Sequence, residues 1–185
     1  MNKRTPVCLV LKSAVLLVTL LCVFPLFATN PQKKEMKELN VKKVSLANVA
    51  VENIPALLDK EKVAFQSINT VNWKTFPYQP EVQFRIAHTD DAILVHYKVK
   101  EASVRAVAAG DNGAVWEDAC VEFFSIPAGD GIYYNVECNC AGILLIGAGA
   151  GRENREHAPQ EVMDKVQRWS SLGRQSFEER VGECN

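Results

Sequence analysis

The stretch Val115-Trp116-Glu117-Asp118-Ala119-Cys120-Val121-Glu122-Phe123-Phe124 decides how this chain is read. Side chains alternate between the two faces of a strand. Counted that way, Trp116, Asp118, Cys120, Glu122 and Phe124 share one face. Val115, Glu117, Ala119, Val121 and Phe123 share the other, whose Val121/Phe123 end predicts a core side. The Trp116/Glu122 side offers a ring for stacking and carboxylates for accepting hydroxyl hydrogen bonds. A ligand with an apolar C–H face and a hydroxyl rim, such as a sugar, has the complementary shape.

The flanking sequence extends the β pattern. Val82, Phe84, Ile86 and His88 alternate along one strand, and Ile93, Val95, Tyr97 and Val99 along the next, with Asp90-Asp91 as the turn. A register centred on that turn sets Ile86 opposite Val95, Phe84 opposite Tyr97 and Arg85 opposite His96. Downstream, Pro127–Gly131 predicts a turn between the Trp116–Ser125 strand and a second strand, Ile132–Leu145. Closing that hairpin around Ala128-Gly129 pairs Val121 with Val136 and Phe123 with Tyr134. It also sets Glu122 opposite Asn135 and Cys120 opposite Glu137, so Trp116, Asp118, Glu122, Asn135 and Glu137 would line one face.

Elsewhere the pattern is looser. Ile54–Phe65 predicts a short helical turn, and Val162, Val166 and Trp169 a short helix or ragged strand. Ile146–Gly151 lacks the third glycine of a dinucleotide fingerprint, where Arg152 stands, and reads as a loop. Trp73 and Trp169 are expected in the core. Short strands, frequent turns and no sustained helical period predict an all-β antiparallel sandwich.

The first residues bound the compartment. Met1-Asn2-Lys3-Arg4 is basic, and the apolar run Ala14–Ala28 has the length of a signal-peptide core rather than a spanning helix. Residues 1–28 are expected to be a signal peptide and 29–40 a polar tether, with the domain at 41–185. The product would be exported, to the periplasm or the cell surface. Membrane contact would require lipidation at Cys22 or an uncleaved signal. Net charge is −1 and the isoelectric point is about 6.3, so no basic field draws nucleic acid. Cys120, Cys138, Cys140 and Cys184 follow the signal segment. Their spacing does not suit a zinc site, which leaves buried thiols or one cross-strand disulfide.

From about residue 40 to 185 the chain resembles the family-nine carbohydrate-binding modules and their secreted relatives from Bacteroides-type bacteria. The blocks that carry the resemblance are Asn72-Trp73, Pro80–His88, Val115–Phe124, Tyr133–Asn139 and Arg168–Gly173, in that order. The resemblance implies a DOMON-like β-sandwich that binds a mono- or oligosaccharide, or a polysaccharide chain end, and performs no chemistry. It implies stacking by Trp116 and hydroxyl binding by Glu122. Asp118, Asn135, Glu137 and Arg85 complete the candidate ligand set. The family's Arg and Asn on the next strand do not carry over, because that stretch reads Tyr134-Asn135-Val136-Glu137. A second stacking Trp would lie in C-terminal strands beyond those present here.

Other chemistries are weaker. Glycosidases need two carboxyl groups about 5–10 Å apart. Asp118 and Glu122, four residues apart on a strand, would stand about 13 Å apart. His88 and His96 lack a Met partner for haem, and no cofactor is expected. Asp90-Asp91 and Asp111-Asn112 are conceivable structural Ca²⁺ positions that turn chemistry also explains.

Overall fold

The computed structural model describes residues 38–46 and 49–184, in which one compact unit begins at Leu39. The expected signal segment, most of the tether and Cys22 lie outside the described residues. In chain order the elements are β1 (Lys42–Lys43), α1 (Ile54–Lys60), β2 (Gln66–Ile68), β3 (Glu81–His88) and β4 (Ile93–Ala106). Then come β5 (Cys120–Ser125), β6 (Tyr133–Asn139), β7 (Leu144–Gly149), β8 (Glu156–His157), α2 (Gln160–Met163) and β9 (Phe177–Cys184). No helix among the described residues is long and apolar enough to cross a membrane.

The strands form two sheets, the layers of an all-β sandwich. One runs β1-β3-β4-β9, with β2 also on β3; the other runs β5-β6-β7-β8. The β3–β4 hairpin has the expected register: Phe84 faces Tyr97, Arg85 faces His96 and Ile86 faces Val95. Its Asp-Asp turn is tied by Thr89, whose hydroxyl accepts from the Asp91 and Ala92 amides. Short-range turn chemistry and an alternating apolar pattern are both local, which is why this hairpin is legible in sequence.

Helix α1 exists because Ile54, Leu57 and Leu58 lie on one helical face and Pro55 sits in the first turn, where no amide donor is needed. Leu58 is fully buried against Val44, Ala87 and Leu94. Lys62 adopts a left-handed φ of 54°, and the Val63 amide returns to the Leu58 carbonyl, which ends the helix. A second apolar cluster joins Leu144, Ile146 and Met163, with Val136, Cys138, Ala158 and Val166 packed against it.

Four expectations need correction. The β5–β6 hairpin is displaced by two residues: Val121 faces Cys138, Phe123 faces Val136, Glu122 faces Glu137 and Cys120 faces Asn139. The connecting loop is wider than a two-residue turn. Gly129 and Gly131 hold φ of 67° and 81°, and Asp130 Oδ1 accepts the Ile132 amide. A shift of two preserves the faces and changes every partner. The expected strand Ile132–Leu145 is instead two strands, separated by a turn in which Asn139 Oδ1 accepts the Ala141 and Ile143 amides. Ile146–Gly149, expected as loop, lies within β7. Trp73 and Trp169 are exposed, by 68% and 51%, because they lie on irregular segments outside both apolar clusters.

Candidate carbohydrate-binding site

Trp116 does not sit on the strand. It projects from a 3-10 turn, Val115–Glu117, separated from the start of β5 by Asp118 and Ala119, and it is 57% exposed. Val115 beside it is fully buried and anchors the turn. A ring held out on a short anchored turn is available for stacking.

Asp118 turns the other way. Its side chain has no exposed surface. Its carboxylate accepts the Val107 and Ala108 amides at 2.9 and 3.0 Å and the Asn139 side-chain amide at 2.9 Å, with Arg105 at 3.6 Å. Burial works to raise its pKa, but those donors outweigh it and hold the carboxyl below its ordinary value. The structure thus makes Asp118 a clamp between the end of β4 and the turn after β6. The 3-10 turn breaks the period of two that would have put it on the face of Glu122.

Arg85 is likewise not brought to Glu122. It is 3% exposed. Its guanidinium meets Asp59 at 2.5 Å, donates to the Pro55 carbonyl at 2.8 Å and to His96 Nδ1 at 3.0 Å, and lies 4.4 Å from the Phe65 ring centre. It fixes α1 against β3. His96, packed against Phe65, has its pKa lowered by burial and then by Arg85.

The β5–β6 pairing does bring Glu122, Asn135 and Glu137 onto one face, with Glu122 directly opposite Glu137. Glu122 is exposed, whereas Asn135 and Glu137 are 1% and 5% exposed. The Asn135 side-chain amide donates to Glu137 Oε1 at 2.5 Å. Among the described residues, Asn135 Oδ1 and Glu137 Oε2 are buried and have no hydrogen-bond partner. Burial and the facing Glu137 raise the pKa of Glu122, while Arg155 and Arg152 oppose the rise. The same face carries Phe124 and Tyr133, whose ring centres are 6.0 Å apart. Tyr97, from the other sheet, donates to the Glu122 carbonyl at 3.0 Å.

Arg155 lies in the charged stretch Arg152–His157, which reads in sequence as a solvated segment and not as part of the candidate site. Gly147 and Gly149 stand opposite Asn135 and Tyr133. A Cβ added at Gly149 would meet Arg155 Cγ at 3.1 Å, and one at Gly147 would meet Arg155 Cβ at 3.5 Å. The Arg155 stem therefore lies in a trough left by the two glycines, with its guanidinium 5.9 Å from the Tyr133 ring centre. Two glycines spaced by two and followed by an arginine were the available signal.

The other candidate chemistries do not assemble. Asp90 pairs with Lys43, Asp91 accepts from the Thr89 hydroxyl, and Asp111 is held bidentately by Arg168 at 2.7 and 2.5 Å. No group of three metal-ligating side chains occurs among the described residues. Cys120, Cys138 and Cys140 are free thiols. Burial, and for Cys120 also Glu137 and Glu122, pushes them up to about 12, 11 and 11, so they remain protonated. A recess of about 540 Å³, bounded by Lys43–Leu46, Glu61 and Thr89–Asp91, shares no residue with the Glu122 face.

The two sheets and their mostly antiparallel pairing make the fold an all-β sandwich. Residues 52–185 match the model of carbohydrate-binding family 9, and the chain belongs to that family. A solved structure from Bacteroides uniformis ATCC 8492, described as that of a proposed carbohydrate-binding protein, is 63% identical with a TM-score of 0.76. The match covers 79% of this chain and 67% of that one. No curated protein matches the chain.

Proposed function

We propose that this chain is a non-catalytic carbohydrate-binding protein of an exported polysaccharide-degrading system. In this reading a sugar ring stacks on Trp116 and donates hydroxyl hydrogen bonds to Glu122. The observation that carries it is the exposed Trp116 ring, held out on an anchored turn ahead of the strand that presents exposed Glu122, in a chain of carbohydrate-binding family 9.

Catalysis is not favoured. Asp118 is committed to four structural partners, so it cannot serve as the second carboxyl of a glycosidase pair. The ligand would be a mono- or oligosaccharide, or a chain end, met in the periplasm or at the cell surface. The test is a thermal melt of the protein with a panel of mono- and oligosaccharides, since a ligand that binds only the folded state raises the transition. A rise with one sugar class supports the reading. A cooperative melt indifferent to every sugar leaves a sandwich whose partner is another macromolecule.

A further inference from the structure

We propose that His96 makes helix α1 an acid-releasable cover of the β3–β4 sheet: protonation of its ring breaks the Arg85 hydrogen bond and frees the helix to lift. Arg85 Nε donates to His96 Nδ1 at 3.0 Å. A guanidinium carries donors and no acceptor, so Nδ1 must offer a lone pair and the ring must be neutral. The same guanidinium reaches Asp59 and the Pro55 carbonyl, both on α1, and lies over the Phe65 ring. One buried side chain therefore joins β3, β4 and α1, and one of its bonds exists only while His96 is uncharged.

Proton uptake at Nδ1 orphans the Arg85 Nε–H, on an arginine that is 3% exposed. It also sets two cations side by side. The charged groups that face His96 are Arg85 from β3, Asp59 from α1 and Lys98 from its own strand, while Phe65 packs on the ring. Arg85 and Lys98 disfavour the imidazolium. Asp59 favours it, but that carboxylate is bonded to Arg85 and 71% exposed, so its pull is screened. Burial, and then Arg85, holds the ring below its ordinary value while α1 is docked. With α1 lifted, the ring meets water and Arg85 swings away, so the open state takes the proton more readily. The stability that the neutral ring contributes is therefore present above the ordinary histidine value and lost as pH falls through the docked one. What then holds α1 is Leu58 in its apolar cluster, which does not titrate. The other histidines lack this arrangement. His88 Nδ1 lies 2.8 Å from the Thr89 carbonyl, a bond that a protonated ring keeps, and His157 is exposed.

The experiment is hydrogen–deuterium exchange of the full chain, read by mass spectrometry over residues 51–65 and over β5–β7. It is run at about pH 7.5 and about pH 5, either side of ordinary histidine titration, with rates corrected for intrinsic exchange. Wild type is compared with His96→Gln, whose side-chain oxygen accepts from Arg85 without titrating, and with His88→Gln and His157→Gln. Far-UV circular dichroism checks that each variant folds. The expected result is a fall of about tenfold in α1 protection on acidifying wild type, the scale of one hydrogen bond to a charged group, with no fall over β5–β7. The fall should persist in His88→Gln and His157→Gln and vanish in His96→Gln. Equal protection of α1 at both pH values in wild type, a fall shared equally by β5–β7, or a fall that survives in His96→Gln overturns the proposal. If His96→Gln leaves α1 open at both pH values, an NMR titration of the His96 ring in wild type decides. A ring midpoint that coincides with the loss of α1 protection supports the latch, and midpoints that differ overturn it.

Discussion

At the scale of single residues, two acids four positions apart have opposite fates. Asp118 is sealed under amide donors, and Glu122 faces another carboxylate across the strand pair. Their pH signatures should differ in sign. The Asp118 pKa is depressed, so its contribution to stability is present above the ordinary carboxylate value and is lost as pH falls through the folded one. The Glu122 pKa is raised, so its contribution is present below the ordinary value and is lost as pH rises through the folded one. Glu122→Gln should therefore raise the melting temperature at pH 7, and the gain should vanish in acid; melts across pH 3–8 would show it. The same substitution should weaken sugar binding about ten- to a hundredfold, since a hydrogen bond to a charged group is worth about 1.5–3 kcal/mol. Asp118→Ala should cost about 3 kcal/mol or more in denaturant unfolding, because it orphans the Val107 and Ala108 amides and the Asn139 side chain. A loss below 1 kcal/mol would contradict the clamp. Sequence alone could not separate these acids: alternation placed both on one face, and only the 3-10 turn at Val115–Glu117 divides them.

At the scale of elements, the legible parts were those set by neighbours in sequence. The β3–β4 register followed from two alternating runs and an Asp-Asp turn. The β5–β6 register did not, since two left-handed glycines lengthened its loop by an amount that the apolar pattern cannot report. Moving a hairpin by two residues leaves its faces unchanged, so the face of Glu122, Asn135 and Glu137 was readable while its pairings were not. β7 was hidden for another reason: glycines signal a loop unless something fills the space they leave, and here the Arg155 stem does. A distant pair holds the edge of β7 in place. Asp111 accepts the Leu144 amide at 3.0 Å and binds Arg168 through both oxygens. Asp111→Ala should destabilise the protein by about 2–4 kcal/mol, because it strands a largely buried arginine and a strand amide. Guanidinium titration measures this; a change under 0.5 kcal/mol would mean that the pair is not needed to hold the edge.

At the scale of the whole molecule, the two sheets do different work. The β3–β4 sheet is covered by α1 and locked by Arg85, whereas the β5–β8 sheet carries the polar face. Fold class was readable from composition and turn spacing because both are distributed along the chain. The site was readable only in part, because ligand-facing geometry depends on which long-range contacts claim each polar group. Arg85 and Asp118 were claimed by the fold; Trp116 and Glu122 were left exposed. The most direct test of the central claim is the sugar-induced rise in melting temperature, measured side by side for wild type and Trp116→Ala. Since Trp116 is exposed, the substitution should leave the unliganded melt nearly unchanged, within about 0.5 kcal/mol in stability. The account predicts a rise in wild type with one sugar class and none in Trp116→Ala. An equal rise in both proteins, or none in wild type with any sugar, would contradict it.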